Sequence, residues 1–186
     1  MFRYCPSCAS VNIRFEQNKK FVCPDCGFTY YHNIAAAAAC IICTGPADDG
    51  FPGGVIPGEE RIVFLVRGKE PAKGKLDLPG GFVDIGEGVV EGLRRECREE
   101  LGWEAPQNGF SFLASFPNVY PYKNITYNTC DMFFTLPAPG LKAEDFHLEK
   151  SEIEGIHLIK PQDIRYEDIA FDSVRRAVRA FKQRPE

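Results

Sequence analysis

The sequence predicts an α/β domain preceded by a small cysteine-rich module, and three observations indicate this organisation. Four of the eight cysteines form two C-x2-C pairs near the N-terminus. Strand-like segments bounded by Gly, Pro and Asn follow from residue 35 onward. Two amphipathic segments with helical periodicity lie among these strands. We therefore place a module at residues 1–33 and a larger domain at residues 34–186.

The two cysteine pairs, Cys5 with Cys8 and Cys23 with Cys26, are separated by 14 residues. Each C-x2-C turn can direct two thiolates at one ion, and two such turns complete the tetrahedral shell of a structural Zn²⁺ site. The segment between them, VNIRFEQNKKFV, has the pattern of a short hairpin. Two disulfides are the alternative, but they are typical of secreted proteins. The pattern predicts a zinc ribbon.

The larger domain is predicted to contain five strands and two helices. Short apolar runs predict strands at 35–43, 61–67, 110–118, 125–136 and 154–160. The first helix, at 87–101, ends before Gly102 and carries an apolar stripe formed by Val89, Val90, Leu93, Cys97 and Leu101. The second helix, at 172–183, takes Asp172 or Ser173 as its N-cap and buries Val174, Ala177, Val178 and Phe181.

A third C-x2-C pair, Cys40 and Cys43, lies in the first of these strands rather than in a turn. Residues three apart on a strand point to opposite faces, so these thiols cannot share a metal ion. We expect them, with Cys97 and Cys130, to be small buried residues, because free cysteine is among the most buried residue types. A redox pair is the alternative.

Composition and charge narrow the class of protein. The chain has 186 residues, 44% of them hydrophobic and 15 of them Phe, so it can bury a core. Its formal net charge of -4 does not favour nucleic acid or anionic membranes as partners. It has no run of about 18 apolar residues and no signal-peptide pattern. We expect a cytoplasmic protein that does not enter a membrane.

Three glutamates, Glu96, Glu99 and Glu100, crowd one side of the first helix, where like charges at this spacing are destabilising. Pairing with Arg95 and Arg98 would make them an ordinary solvated face. That explanation leaves the preceding LPGGFVDIGEG segment unexplained, because its glycines allow close approach of backbone to a ligand. Carboxylates beside exposed backbone suit Mg²⁺, which takes oxygen ligands and completes its shell with substrate phosphates.

The segment from Gly81 to Trp103 resembles the Nudix box, whose pattern is G-x5-E-x7-R-E-U-x-E-E-x-G-U with U an apolar residue. Cys97 and Trp103 occupy the U positions. All seven fixed identities are present: Gly81, Glu87, Arg95, Glu96, Glu99, Glu100 and Gly102. An N-terminal zinc ribbon joined to such a domain is similar to the NADH pyrophosphatase group. The resemblance implies an α/β/α sandwich with a mixed sheet, and hydrolysis of a nucleoside diphosphate linked to another moiety.

The resemblance also implies roles for the matching residues. Glu96, Glu99 and Glu100, helped by the Gly81 carbonyl, would ligate Mg²⁺ or Mn²⁺ ions that bridge the diphosphate. Two further residues, Glu87 and Arg95, look like a pair that braces the helix, although Arg95 could instead contact phosphate. Outside the box, Glu152 aligns best with a general base, and an ordinary loop carboxylate is the alternative.

Substrate, partners and a second function class are less constrained by the residues. The NADH pyrophosphatase group carries S-Q-P-W-P-F-P after the box, and SFPNVYP here matches it at Ser115, Pro117 and Pro121. NADH, ADP-ribose or FAD is therefore the expected type of substrate, with a base stacked on Tyr120, Tyr122 or Tyr127 unless these lie in the core.

The ribbon could serve interaction with a partner or homodimerisation. Alternatively, a weakly basic ribbon on a degenerate Nudix fold would make a nucleic-acid-binding regulator.

Overall fold

The structure is a computed structural model that describes residues 2–48, 50, 54–56, 58–123 and 125–184, apart from the side chain of residue 122. Contacts between Cα atoms divide the chain into two compact units, Met1–Ile34 and Ala35–Glu186. No helix among the described residues is long and apolar enough to cross a membrane.

The small unit is a three-stranded antiparallel sheet in the order β1 (Arg14–Glu16), β2 (Lys20–Val22) and β3 (Thr29–Tyr31). The expected hairpin is β1 and β2, joined by a turn in which Gln17 and Asn18 adopt left-handed backbone angles. Phe21 is buried, and its ring packs against that of Phe15 at a centroid distance of 4.6 Å. Aromatic contact therefore supplies most of this unit's small core.

The large unit contains a seven-stranded mixed sheet and two helices. Its main strand order is β10-β5-β4-β9-β8, with β6 paired to β5 and β7 to β4. Pairing is antiparallel except between β4 and β9, which are parallel. The elements are β4 (Ala35–Thr44), β5 (Arg61–Arg67), β6 (Leu76–Asp77), β7 (Gly80–Phe82), α1 (Val89–Leu101), β8 (Ser111–Tyr122), β9 (Ile125–Pro137), β10 (Ile153–Ile159) and α2 (Asp172–Lys182).

One helix covers each face of this sheet. On one face Cys40 and Ile42 of β4 pack in a core cluster with Cys97 of α1. On the other face Ile41 and Cys43 pack in a second cluster with α2. The predicted α/β/α sandwich is therefore present, and Cys40 and Cys43 do point to opposite faces as the strand period requires. Cys130 is only partly buried.

Both helices differ from the prediction at their N-termini. α1 begins at Val89 rather than at residue 87, because Gly88 is its extended N-cap. The predicted N-cap of α2 was wrong, since Phe171 holds that position with no side-chain cap. The Ser173 hydroxyl is engaged elsewhere, because it donates to Asp131 at 2.7 Å. At the other end of α1, Gly102 terminates the helix in the left-handed conformation (φ 58°), as expected.

Candidate active site

A cavity of about 400 Å³ lies in the large unit where β4, β7 and α1 meet. The small side chains of Ala37–Ala39 on β4 leave room for it. The glycines of β7 allow close approach to α1: a Cβ on Gly81 would lie 2.7 Å from the carboxyl carbon of Glu96. Real Cβ contacts are essentially never shorter than 3.0 Å, so this glycine is required for Glu96 to stand where it does.

Two of the three predicted glutamates line this cavity. Glu100 accepts a hydrogen bond from the Gly80 N–H at 2.9 Å, and Glu96 stands over Gly81. Glu99 has a side chain that is 57% exposed and does not line the cavity. The structure thus brings Glu96 and Glu100 together at the backbone of β7 and leaves Glu99 at the rim.

Arg95 neutralises much of the glutamate cluster. Its guanidinium donates to Glu87 at 2.7 Å, to Glu96 at 2.8 Å and to Glu99 at 3.1 Å. A fourth bond reaches the carbonyl oxygen of Phe82 at 2.9 Å. Arg95 therefore offsets the repulsion between Glu96 and Glu99, whereas Arg98 pairs with Glu104 instead of with these glutamates.

The environment of the cavity carboxylates favours a bound cation. Desolvation raises the pKa of Glu100 well above its usual range, and the Gly80 N–H offsets this only in part. Burial likewise raises the pKa of Glu96, although Arg95 opposes the shift. A divalent ion would return both groups to the charged form. These oxygen donors fit Mg²⁺ or Mn²⁺, which bind carboxylates and keep several waters.

Glu152 lines the same cavity from the start of β10. Its carboxylate pairs with the Lys69 ammonium at 2.5 Å, and its side chain is 44% exposed. Glu152 lies in the turn just before β10, so it is a loop carboxylate, but one that lines the cavity. The proton-accepting role itself stays a prediction.

Two cavity residues, Asp77 and Asp131, were missed by the sequence analysis. Asp77 pairs with Arg67 at 2.7 Å, and burial nevertheless raises the pKa of this carboxyl. Asp131 accepts hydrogen bonds from the hydroxyls of Thr129 at 2.5 Å and Ser173 at 2.7 Å. Strand pairing over a long distance in the sequence brings both carboxylates to the cavity. The LDLPGG sequence next to the box was therefore the one local signal, and it concerned Asp77 alone.

Aromatic rings also line the cavity. Tyr120, Phe82 and Phe171 line it, and the Tyr120 ring lies 5.8 Å from Phe82 and 5.6 Å from Phe171. The ring centroid of Tyr127 lies 5.9 Å from that of Phe82, but Tyr127 does not line the cavity. The side chain at position 122 lies outside the described residues. Of the two tyrosines whose side chains are described, Tyr120 is therefore the candidate for stacking on a base.

Backbone hydrogen bonds fasten a loop segment to the end of α1. The N–H of His147 donates to the carbonyl of Leu101 at 2.7 Å, and that of Glu149 donates to the carbonyl of Glu100 at 3.1 Å. The N–H of Glu152 then donates to the carbonyl of Glu149 at 3.0 Å. A short chain of backbone hydrogen bonds thus joins Glu100 to Glu152, which also lines the cavity.

In the small unit, the four predicted cysteines come together. The sulfur atoms of Cys5, Cys8, Cys23 and Cys26 all lie within 4.8 Å of one another. Four thiols at such separations fit the closed tetrahedral shell of a structural Zn²⁺ site. Among the described residues, this is the one group of His, Cys, Asp or Glu gathered this tightly.

Comparison with known proteins agrees with this geometry. An ADP-ribose pyrophosphatase of Methanocaldococcus jannaschii is 45% identical over 49 residues, which are 26% of this chain and 29% of that protein. The NAD-capped RNA hydrolase NudC of Chromobacterium violaceum is 28% identical over 116 residues, covering 62% of this chain and 38% of its own length. The chain thus spans less than two fifths of the length of these two relatives.

A solved structure and a family model extend the likeness to most of the chain. The crystal structure of a NUDIX hydrolase from Nitrosomonas europaea has a TM-score of 0.63 and 22% identity, and it covers 98% of this chain and 92% of that one. This likeness is one of fold. The model of the NUDIX domain matches residues 50–180, which include the whole box and the cavity-lining residues other than Ala37–Ala39. The chain belongs to the NUDIX domain family.

Proposed function

We propose that this protein is a metal-dependent hydrolase that cleaves the diphosphate linkage of nucleoside diphosphate derivatives. The expected substrates are dinucleotides or ADP-sugars such as NADH, ADP-ribose or FAD. One observation carries the proposal: a single cavity of about 400 Å³ holds Glu96, Glu100 and Glu152 beside the glycines of β7. The names of the two curated relatives, an ADP-ribose pyrophosphatase and an NAD-capped RNA hydrolase, support this class of substrate.

The roles of the residues follow from their positions. Glu96 and Glu100, with the Gly81 carbonyl and with Glu99 turned inward from the rim, would hold Mg²⁺ or Mn²⁺. The bound ions would neutralise phosphate charge and acidify a water. Arg95 keeps Glu96 in place through their 2.8 Å contact and braces the helix against Glu87, unless substrate phosphate draws it away.

Hydrolysis then proceeds by in-line attack of water on one phosphorus. The new bond joins the water oxygen to phosphorus, and the bond from that phosphorus to the bridging oxygen breaks. The bridging oxygen leaves as part of the second phosphate, and Glu152 accepts the proton that the water loses. The Lys69 ammonium, 2.5 Å from the Glu152 carboxylate, holds this side chain at the cavity.

Hydrolysis of a substrate panel with Mg²⁺ or Mn²⁺ tests the proposal. The panel contains NADH, ADP-ribose, FAD and nucleoside triphosphates, and products are separated by chromatography. Glu100→Gln should lower kcat/KM by more than about 100-fold, beyond the 10–100-fold typical of residues that only support a metal ligand. Glu104→Gln is the matched control, because Glu104 pairs with Arg98 on the surface away from the cavity. Equal activity of the two variants would refute the assigned site.

The same preparation tests Glu152 and the alternative function. Glu152→Gln should lower kcat by about 10²–10⁴-fold, the range of a lost general base. A nucleic-acid-binding regulator would instead hydrolyse nothing in the panel and bind DNA or RNA with a steep dependence on salt.

The zinc ribbon belongs to this proposal as a structural element. We assign it to residues 1–33 and the hydrolase domain to residues 34–186, and we propose Zn²⁺ bound by the four cysteines. A closed zinc site supplies folding free energy and a surface rather than catalysis. An interaction or homodimerisation role therefore suits it, and sedimentation of the zinc-loaded protein would measure the oligomeric state. The cytoplasmic location stays a prediction.

A further inference from the structure

We propose that Asp131 selects the nucleoside part of the substrate by accepting a hydrogen bond from it. The inference rests on the proposed function, because it names a specificity residue of the same cavity. Its starting point is position: Asp131 lies on β9, directly opposite Ala37 of β4, and lines the cavity. Ala37 in turn lies opposite Phe82 of β7, next to Gly81. Asp131 is therefore two strand spacings, or about 10 Å, from the backbone of Phe82.

The ion pairs of the cavity single out this carboxylate. Among the carboxylates that line it, Asp77 pairs with Arg67, Glu152 with Lys69, and both Asp84 and Glu96 with Arg95. Within the described part of the chain, Glu100 and Asp131 have no such cationic partner among the salt bridges. Glu100 stands at the proposed metal site, which accounts for its missing cation. Asp131 is not one of the proposed metal ligands, so the absence of a cation beside it needs another explanation.

The two partners of Asp131 orient it without neutralising it. The hydroxyls of Thr129 and Ser173 each donate to one of its oxygens, and both residues are buried. An ionised carboxylate can accept about four hydrogen bonds, so each oxygen retains capacity for a further donor. A partly desolvated anion with unused acceptor capacity favours a ligand that brings an N–H or O–H group.

The surroundings indicate what kind of group brings that donor. Phe82, Tyr120 and Phe171 supply ring faces to the same part of the cavity, which suits a planar base. NADH, ADP-ribose and FAD share an ADP moiety, whose adenosine offers donors at the amino group of adenine and at the ribose hydroxyls. With the diphosphate at Glu96 and Glu100, the adenosine would reach Asp131 from the direction of Gly81.

A purely structural role is the competing explanation, because Asp131 also ties β9 to α2 through Ser173. The two explanations differ in what they predict for ligand discrimination. A tie between two elements affects stability and leaves the relative affinities of similar ligands unchanged. A hydrogen-bond acceptor for the nucleoside changes those relative affinities, because an analogue without the donor leaves the carboxylate unpaired.

The test measures dissociation constants of AMP, IMP and 2′-deoxy-AMP by calorimetry in the presence of Mg²⁺. IMP lacks the amino group and 2′-deoxy-AMP lacks one ribose hydroxyl, so the two analogues separate the two sources of the donor. We expect wild-type protein to bind AMP about 10–100-fold more tightly than one of them, as a hydrogen bond to a charged group would give. Because no turnover is needed, the result is independent of whether the substrate panel is hydrolysed.

Asp131→Asn should bring the affinities for AMP and for the discriminated analogue to near equality. If that analogue is IMP, the variant should bind IMP at least as tightly as AMP, because the new amide can donate a hydrogen bond to the carbonyl of the base. Asp163→Asn is the matched control on the surface and should leave all three constants unchanged. Ser173→Ala keeps the carboxylate but removes one orienting hydroxyl, so an intermediate ratio is expected even if Asp131→Asn fails to fold. Equal affinities in the wild type, a ratio that neither cavity variant changes, or no binding of AMP would overturn the proposal.

Discussion

Replacing Gly81 by alanine should impair catalysis while leaving the fold almost intact. The backbone of Gly81 is not in the left-handed region, so alanine is conformationally acceptable there. The added Cβ would lie 2.7 Å from the Glu96 carboxyl carbon, where an ordinary contact begins at about 3.4 Å. Glu96 must therefore retreat by at least about 0.7 Å, the difference between these two distances, because one of its carboxylate oxygens lies closer still.

The size of this displacement of Glu96 determines how much catalytic activity we expect Gly81→Ala to lose. A displacement of about 1 Å in a catalytic group can cost about 100-fold in rate, and a tenfold change corresponds to about 1.4 kcal/mol of activation free energy. We therefore expect kcat/KM to fall by roughly 10–100-fold, or about 1.4–2.7 kcal/mol. The free energy of unfolding should change by less than about 1 kcal/mol, because the obstructing group is the end of a flexible side chain and alanine restricts the unfolded chain.

Steady-state hydrolysis and urea unfolding of Gly81→Ala measure the two effects separately. Gly155→Ala is a suitable control, since Gly155 is also in a strand and its added Cβ would meet Val66 at an ordinary 3.8 Å. Full activity in well-folded Gly81→Ala protein would show that the position of Glu96 is not critical, and would remove the main geometric support for the metal site.

Three further predictions concern the charges and the thiols. Arg95→Gln should lower the free energy of unfolding by about 1–3 kcal/mol in urea, because the partly buried Glu96 loses its cation and Glu87 loses its partner. Wild-type protein should contain about one Zn²⁺ per chain by a colorimetric chelator assay, with the metal lost in Cys8→Ala and retained in Cys130→Ala. Metal-free protein should lose stability as the pH rises above 4.5, the ordinary pKa of a glutamate in the unfolded chain. Above this pH, Glu100 of the folded protein still holds a proton that the unfolded chain has released, because its pKa is raised. Calorimetric Tm values from pH 5 to 8 test this, and Mg²⁺ should raise Tm most at high pH.

An outcome opposite to each of these would be informative. Unchanged stability of Arg95→Gln would show that Glu87 finds another partner. Zinc retained by Cys8→Ala would place the ion elsewhere, and zinc absent from wild-type protein would contradict the ribbon assignment. A flat dependence of Tm on pH that Glu100→Gln does not alter would show that Glu100 is charged in the metal-free fold.

Elements with a strong local pattern could be predicted from the sequence. The strand β4 is a continuous apolar run and α1 has an apolar stripe with the helical period, so both elements were predicted, although α1 begins two residues later than expected. β6 and β7 span two and three residues, too few for any period to be detected. They form because β5 and β4 supply paired backbone, which is a long-range effect.

The residues of the candidate site likewise differ in whether local sequence was enough to find them. Glu96 and Glu100 share one helix with Arg95, so local spacing was enough to find them. Asp131 comes from a strand that pairs with β4 far along the chain, and nothing in its neighbouring residues indicates a cavity. The same contact explains the wrong N-cap, since the Ser173 hydroxyl that local sequence assigned to the helix end is used by Asp131 in the tertiary structure.

The hydrogen bonds that join the end of α1 to residues 147–152 have a consequence for how this domain can vary. The N–H of Glu149 is bonded to the carbonyl of Glu100, and the N–H of Glu152 to the carbonyl of Glu149, so one hydrogen-bonded connection sets the spacing between Glu100 and Glu152. One added residue between Glu149 and Glu152 would break this connection, and we expect it to displace Glu152 from the site of attack and to lower the rate of hydrolysis more than the same insertion in an exposed loop.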